Sequence, residues 1–135
     1  MIKLVETSFA VHYINEEQSL LEQCWTNPDS KMNIEEYKVD MLHYLQIVKK
    51  YQIRFALIDT RQFGFTISPE TQDWIDKTIA IEANQIVKKI AFLLPHDLIE
   101  QLSIEQTMDE EEGTKYNAIQ YFEDKQKAIN WLLSS

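Results

Sequence analysis

The sequence predicts a single α/β domain: an N-terminal β-hairpin followed by alternating helices and strands, with a mixed sheet of four to five strands covered by helices on both faces. Three observations predict it. Two short apolar runs, Phe55-Ala56-Leu57-Ile58 and Ile90-Ala91-Phe92-Leu93-Leu94, carry no polar interruption, as strands of a parallel sheet buried on both faces require. Segments with apolar residues at spacings of three and four surround these runs. No linker, internal repeat or change of composition divides the 135 residues, a length suited to one domain.

The elements follow in order. Ser8 to Ile14 and Ser19 to Thr26 are rich in aliphatic and aromatic residues and are joined by polar Asn15, Glu16, Glu17 and Gln18, which reads as an antiparallel hairpin. Lys3, Leu4 and Val5 lengthen the first strand or precede a kink or bulge at Glu6-Thr7-Ser8. Asn27-Pro28-Asp29-Ser30 is a loop, because proline and Asx residues favour turns over ladder bonding. Asn33 and Glu36 then stand at capping-box spacing, with Met32 and Tyr37 placed as a hydrophobic staple. Ile34, Tyr37, Met41, Leu45 and Val48 form the apolar face of the helix they open, which ends near Tyr51.

The strand Phe55 to Ile58 is stopped by Asp59, Thr60, Arg61 and Gln62. Ser68-Pro69 supplies an N-cap with proline at the first helical position, followed by Glu70 and Asp73 where the helix dipole favours negative charge. Trp74, Ile75, Thr78, Ile79 and Ala83 form the inward stripe of that second helix. Pro95 ends the next strand, and Asp97 with Glu100 opens a short helix to about Gln106. Asp109 to Gly113 is an acidic loop, Ala118 to Phe122 a strand, and Asp124 to Leu133 a closing helix.

Composition narrows the function. Thirteen basic against 22 acidic residues leave a net charge of −9, which opposes a phosphate backbone or an anionic bilayer, so neither nucleic acid nor membrane is an expected partner. With Gly64 and Gly113 as the two glycines, neither a dinucleotide-binding fingerprint nor a phosphate-binding P-loop can be written. The single cysteine, Cys24, excludes an internal disulfide and multi-cysteine zinc patterns and fits a reducing, cytoplasmic location. The N-terminal residues carry no signal-peptide pattern, and no apolar run approaches the roughly 20 residues of a transmembrane span. No cofactor or metal site is expected, and His12 and His43 read as ordinary surface or core-edge histidines.

Ligands of open α/β sheets gather at the carboxyl ends of parallel strands. That rule selects Asp59, Thr60, Arg61, Phe63, Phe65 and Ser68 after one strand and His96 after the next, with Tyr121, Phe122 and Glu123 at the rim. Arg61 offers a planar fork for a carboxylate or phosphate, or else pairs with Asp59 or Glu70. Phe63, Phe65 and Ile67 alternate in a loop with no obvious core to join, which suggests a partner surface or dimer contact. Ser68, His96 and Asp59 are the residue types of a hydrolase triad, yet Ser68 is placed as an N-cap and no GxSxG elbow is present, so no catalytic residue is assigned and the chain is not expected to be an enzyme. The many aromatic residues leave a pocket for a small apolar ligand as the alternative.

The stretches LIDTRQFGFTISPETQDWI (57–75), KKIAFLLPHDLIEQLSIEQTM (88–108) and IQYFEDKQKAINWLL (119–133) resemble the SpoIIAA-like, or STAS-like, superfamily. Asp59 at a strand end, Trp74, Pro95, Phe122 and Trp131 carry the resemblance. It implies a non-catalytic bacterial regulatory module that binds a protein partner or forms a homodimer. It also makes Ser68, at the start of a helix, a candidate phosphorylation site, although Pro69 and Glu70 replace the paired-serine-plus-glycine signature of the regulated members. Related lipid-transfer domains of the CRAL-TRIO type imply the apolar-ligand alternative.

Overall fold

The computed structural model describes residues 1–26, 31–64, 66–99 and 118–134. The loop at 27–30, Phe65, the continuation of the short helix beyond 99 and the acidic run at 109–113 lie outside the described residues.

Among the described residues the fold is α/β with a mixed sheet of six strands, β1 (Ile2–Glu6), β2 (Ala10–Asn15), β3 (Leu20–Trp25), β4 (Phe55–Asp59), β5 (Lys89–Leu93) and β6 (Ala118–Phe122), in the order of the chain. The four to five strands expected become six because Ile2–Glu6 is a strand in its own right. It pairs antiparallel with β2, and the register shifts between Lys3 and Val5. That bulge turns Leu4 and Val5 onto the core, and Thr7 carries the chain into β2 by bonding the amides of Phe9 and Ala10. β2 and β3 form the antiparallel hairpin, and β3 to β6 run parallel.

Helix α1 (Ile34–Tyr51) begins with the full capping box: Asn33 Oδ1 accepts from the Glu36 amide at 2.8 Å, and Glu36 Oε1 accepts from the Asn33 amide at 3.0 Å. It ends after Tyr51 with Gln52 in a left-handed conformation. Its buried face consists of Tyr37, Asp40, Tyr44, Leu45, Ile47 and Val48. Ile34 was expected on that face but is exposed, because the face is rotated to seat Asp40 and Tyr44.

Ser68 caps the second helix as expected, its Oγ accepting from the Thr71 amide. That helix runs as α2 (Pro69–Trp74), a wider π-helical stretch (Ile75–Ala80) and α3 (Ile81–Ile86). A helical turn at 96–99 follows β5, two residues earlier than a cap at Asp97 places it, because the Leu98 and Ile99 amides bond the Pro95 carbonyl. Helix α4 (Lys125–Leu133) opens on Asp124, whose carboxylate accepts from the Lys127 amide.

Helices cover both faces. Side chains of α1 and α3 pack with Ile14, Leu21, Trp25, Ala56, Ile58 and Ile90 on one face; Ala128 and Leu132 of α4 pack with Leu20, Leu57, Ala91 and Leu93 on the other. Lys89 clamps the end of α4. Its Nζ donates to the Trp131 and Ser134 carbonyls at 3.0 and 2.7 Å and lies 5.1 Å over the Trp131 ring, where a cation neutralises the negative end of the helix. Lys89→Met is therefore expected to lower stability by about 1–2 kcal/mol, read as an earlier urea midpoint with unchanged slope.

Candidate functional site

The parallel strands β3 to β6 bring their carboxyl ends to one edge, and the polar residues there are held in pairs. Asp59 is the last residue of β4. Its side chain accepts two side-on bonds from Arg61, Nε to Oδ1 at 3.0 Å and Nη2 to Oδ2 at 2.8 Å, and a third from the Arg61 amide at 3.1 Å. Of the two alternatives for Arg61, the structure therefore selects Asp59 over Glu70. Burial pushes the Asp59 carboxyl up, and the hydrogen bonds and charge of Arg61 outweigh it, leaving the group below the usual carboxylate range.

The arginine is not consumed by this pair. Its side chain is 42% exposed against 10% for Asp59, and the side-on contact leaves the Nη1/Nη2 edge of the fork turned away from the carboxylate. The Asp59 carboxylate, bonded to both the amide and the side chain of Arg61, thus fixes the guanidinium before anything binds to it.

Alternation along β3 and β4 places Glu22 and Cys24 on the same sheet face as Asp59, and Cys24 is the cross-strand partner of Asp59. The Cys24 thiol points at Asp59 Oδ2 at 3.8 Å. Burial, with the negative charges of Asp59 and Glu22, pushes that thiol up to about 11, so it stays protonated and is no nucleophile at neutral pH. Glu22, with a side chain only 6% exposed, is neutralised by Lys125 at the start of α4, 3.0 Å away. The edge therefore carries two carboxylates, Asp59 and Glu22, flanked by the cations Arg61 and Lys125 and gathered around a neutral thiol.

The remaining expected residues are distributed along this edge. Thr60 ties the β4 end to β5, its amide and hydroxyl both donating to the Leu93 carbonyl at 3.0 and 2.8 Å. His96, exposed after β5, bonds Glu123 after β6 through Nδ1. The Ser68 hydroxyl serves the Thr71 amide and hydroxyl. Serine, histidine and aspartate of the triad considered from sequence thus each have a different partner. Among the described residues no group of three His, Cys, Asp or Glu is placed to hold a metal ion.

Phe63 differs from expectation. It does have a core to join: its ring meets Trp25 edge-on at 5.0 Å and tilts against Tyr37 at 5.9 Å, while Trp25 and Tyr37 stack at 5.4 Å. Among the described residues of this loop, the exposed apolar member is Ile67. Glu22, Cys24 and Lys125 escape sequence reasoning because they lie far from Asp59 along the chain. The signal available for Glu22 was a carboxylate within a buried strand, which must find a cation there.

His12 also departs from its expected place. It is fully buried on β2, beneath α1, instead of lying at the surface or core edge. No family model, no curated protein and no solved structure matches the chain.

Proposed function

We propose that the chain is a non-catalytic regulatory module of the STAS-like kind, docking a protein partner or a second copy of itself through the edge that runs from Asp59 to Ser68. One observation carries this reading: a guanidinium pre-oriented by Asp59 and presented on an exposed edge. An arginine fixed in this way loses little freedom on meeting a carboxylate or phosphate, which favours recognition. Exposed Gly64, Thr66 and Ile67 continue the surface up to Ser68, whose position at a helix start suits a phosphate that would add about two negative charges to the same face.

The paired state of the polar groups supports docking over chemistry. Asp59 is held ionised by an arginine, Cys24 is held neutral, and Ser68 is engaged as a cap, so none is poised as an acid, base or nucleophile.

The test compares immobilised chain with its Arg61→Ala variant as bait for proteins of the host. A specific protein retained by the parent and reduced about tenfold or more by the substitution is the expected result. Far-UV circular dichroism of the variant shows that the fold is retained. Equal retention by both baits, or a small molecule co-purifying in place of a protein, overturns the proposal.

A further inference from the structure

We infer that Trp25, Gln23 and His12 form a directional hydrogen-bond relay that holds the His12 ring neutral and couples its protonation to the packing of the loop after β4. The relay follows from donor and acceptor inventory alone. An indole N–H can only donate, and Trp25 Nε1 lies 3.1 Å from Gln23 Oε1 in a buried setting. The Gln23 carbonyl is therefore turned to Trp25, and its amide nitrogen is turned to His12 Nε2, 3.1 Å away. An NH2 group can only donate, so His12 Nε2 must carry a lone pair. The ring is then neutral, with its single proton on Nδ1.

A proton added at Nε2 faces the Gln23 NH2 group. Turning the Gln23 amide over relieves that clash but brings its NH2 against the Trp25 indole N–H. Either orientation leaves two donors opposed, so the conflict passes along the relay to Trp25 instead of ending at His12.

Trp25 is where the conflict becomes structural. It is the ring on which Tyr37 of α1 and Phe63 of the β4–α2 loop both pack. The Phe63 amide in turn bonds the Thr60 carbonyl, next to Asp59 and Arg61. A strained Trp25 loosens Phe63, and with it the segment that presents Arg61.

Among the described residues, the surroundings of His12 oppose a second proton more than they favour it. On β1 its cross-strand neighbour is Val5, and on β3 it is Gln23, neither of which titrates. From α1 it is faced by His43, ring centroids 6.2 Å apart, whose positive form repels a second charge. The Asp40 backbone acts in the opposite sense, while the Asp40 carboxylate is engaged by Thr7 at 2.8 and 3.0 Å. The Asp40 backbone reaches the ring without forming a well-aligned hydrogen bond to buried Nδ1.

The inference is independent of the proposed docking role, because it is read in the isolated chain while docking is read from capture by the Arg61→Ala bait. NMR of the full chain supplies the test. At neutral pH the His12 ring carbons should report the Nδ1–H tautomer. On acidification the Trp25 indole N–H and the Phe63 amide should shift in the same step as the His12 ring. His12→Gln places an amide oxygen where Nε2 was, preserving the relay without a titrating group, and should abolish that shared step. A His12 ring protonated on Nε2 at neutral pH, a Trp25 signal unmoved while His12 titrates, or an unchanged step in His12→Gln would each overturn the inference. The tautomer measurement uses the parent chain alone and decides the matter should His12→Gln not fold.

Discussion

Trp25→Ala is expected to lower the stability of the chain by about 3–5 kcal/mol, the range for deleting a large buried aromatic side chain. Trp25 is 3% exposed, and three groups depend on it: the Tyr37 ring stacks on it, the Phe63 ring meets its face, and Gln23 Oε1 accepts from its indole. The loss therefore combines a cavity with a buried carbonyl left without its donor. Chemical denaturation reads the energy, and hydrogen exchange locates it: the amides of 60–64 should exchange faster while those of β5 and α4 change only with global stability. Trp74→Ala, which removes a partly buried ring on α2, should cost clearly less. A loss at Trp25 below about 1 kcal/mol would contradict the role given to the aromatic stack.

Acid should destabilise the parent chain more than His12→Gln. Burial, with the charge of His43, lowers the His12 ring from its ordinary 6.5 to about 4 in the folded chain. Between these values the unfolded chain binds a proton that the folded chain refuses. Stability linked to His12 is thus complete above about pH 6.5 and falls as the pH drops toward 4, a window equivalent to about 3 kcal/mol. Asp40 acts with the opposite sign. Burial raises its carboxyl above the ordinary carboxylate value, so it takes up its proton at a higher pH when folded and gains on acidification. Comparing parent with His12→Gln cancels that contribution. Urea midpoints at pH 7 and pH 4.5 should separate the two proteins at the lower value, and superimposable pH profiles would contradict the burial of an unprotonated His12.

The parts of the fold legible in sequence were those fixed by local chemistry. The Asn33–Glu36 capping box, the Ser68-Pro69 start and the Asp124 cap each depend on residues within one helical turn, and each is found where the spacing places it. The strands β4 and β5 are legible because burial on both faces demands an unbroken apolar run. β1 was less so: Glu6-Thr7-Ser8 resembles a break in one strand, and only the bulge beside Leu4 shows how a separate strand fits there. The π-helical stretch Ile75–Ala80 has no counterpart in the apolar spacing, which a wide turn alters only slightly.

The candidate site divides in the same way. Asp59 and Arg61, two residues apart at a strand end, could be read together from sequence. Phe63 was misplaced because its core partners, Trp25 and Tyr37, come from distant elements. Glu22 and Lys125 are joined by the packing of α4 on the sheet, and His12 meets Gln23 only once the hairpin register is set. A one-residue slip of β2 against β3 would turn His12 to the opposite face, away from Gln23.

Native mass spectrometry of the chain isolated from its own host tests most directly whether the Arg61 edge is a docking surface. The expected spectrum contains a complex with a protein partner or a second copy, and Arg61→Ala reduces it to the monomer. A monomer carrying a small-molecule adduct that is lost on denaturation and unaffected by Arg61→Ala would contradict docking at this edge and assign the chain to ligand binding instead.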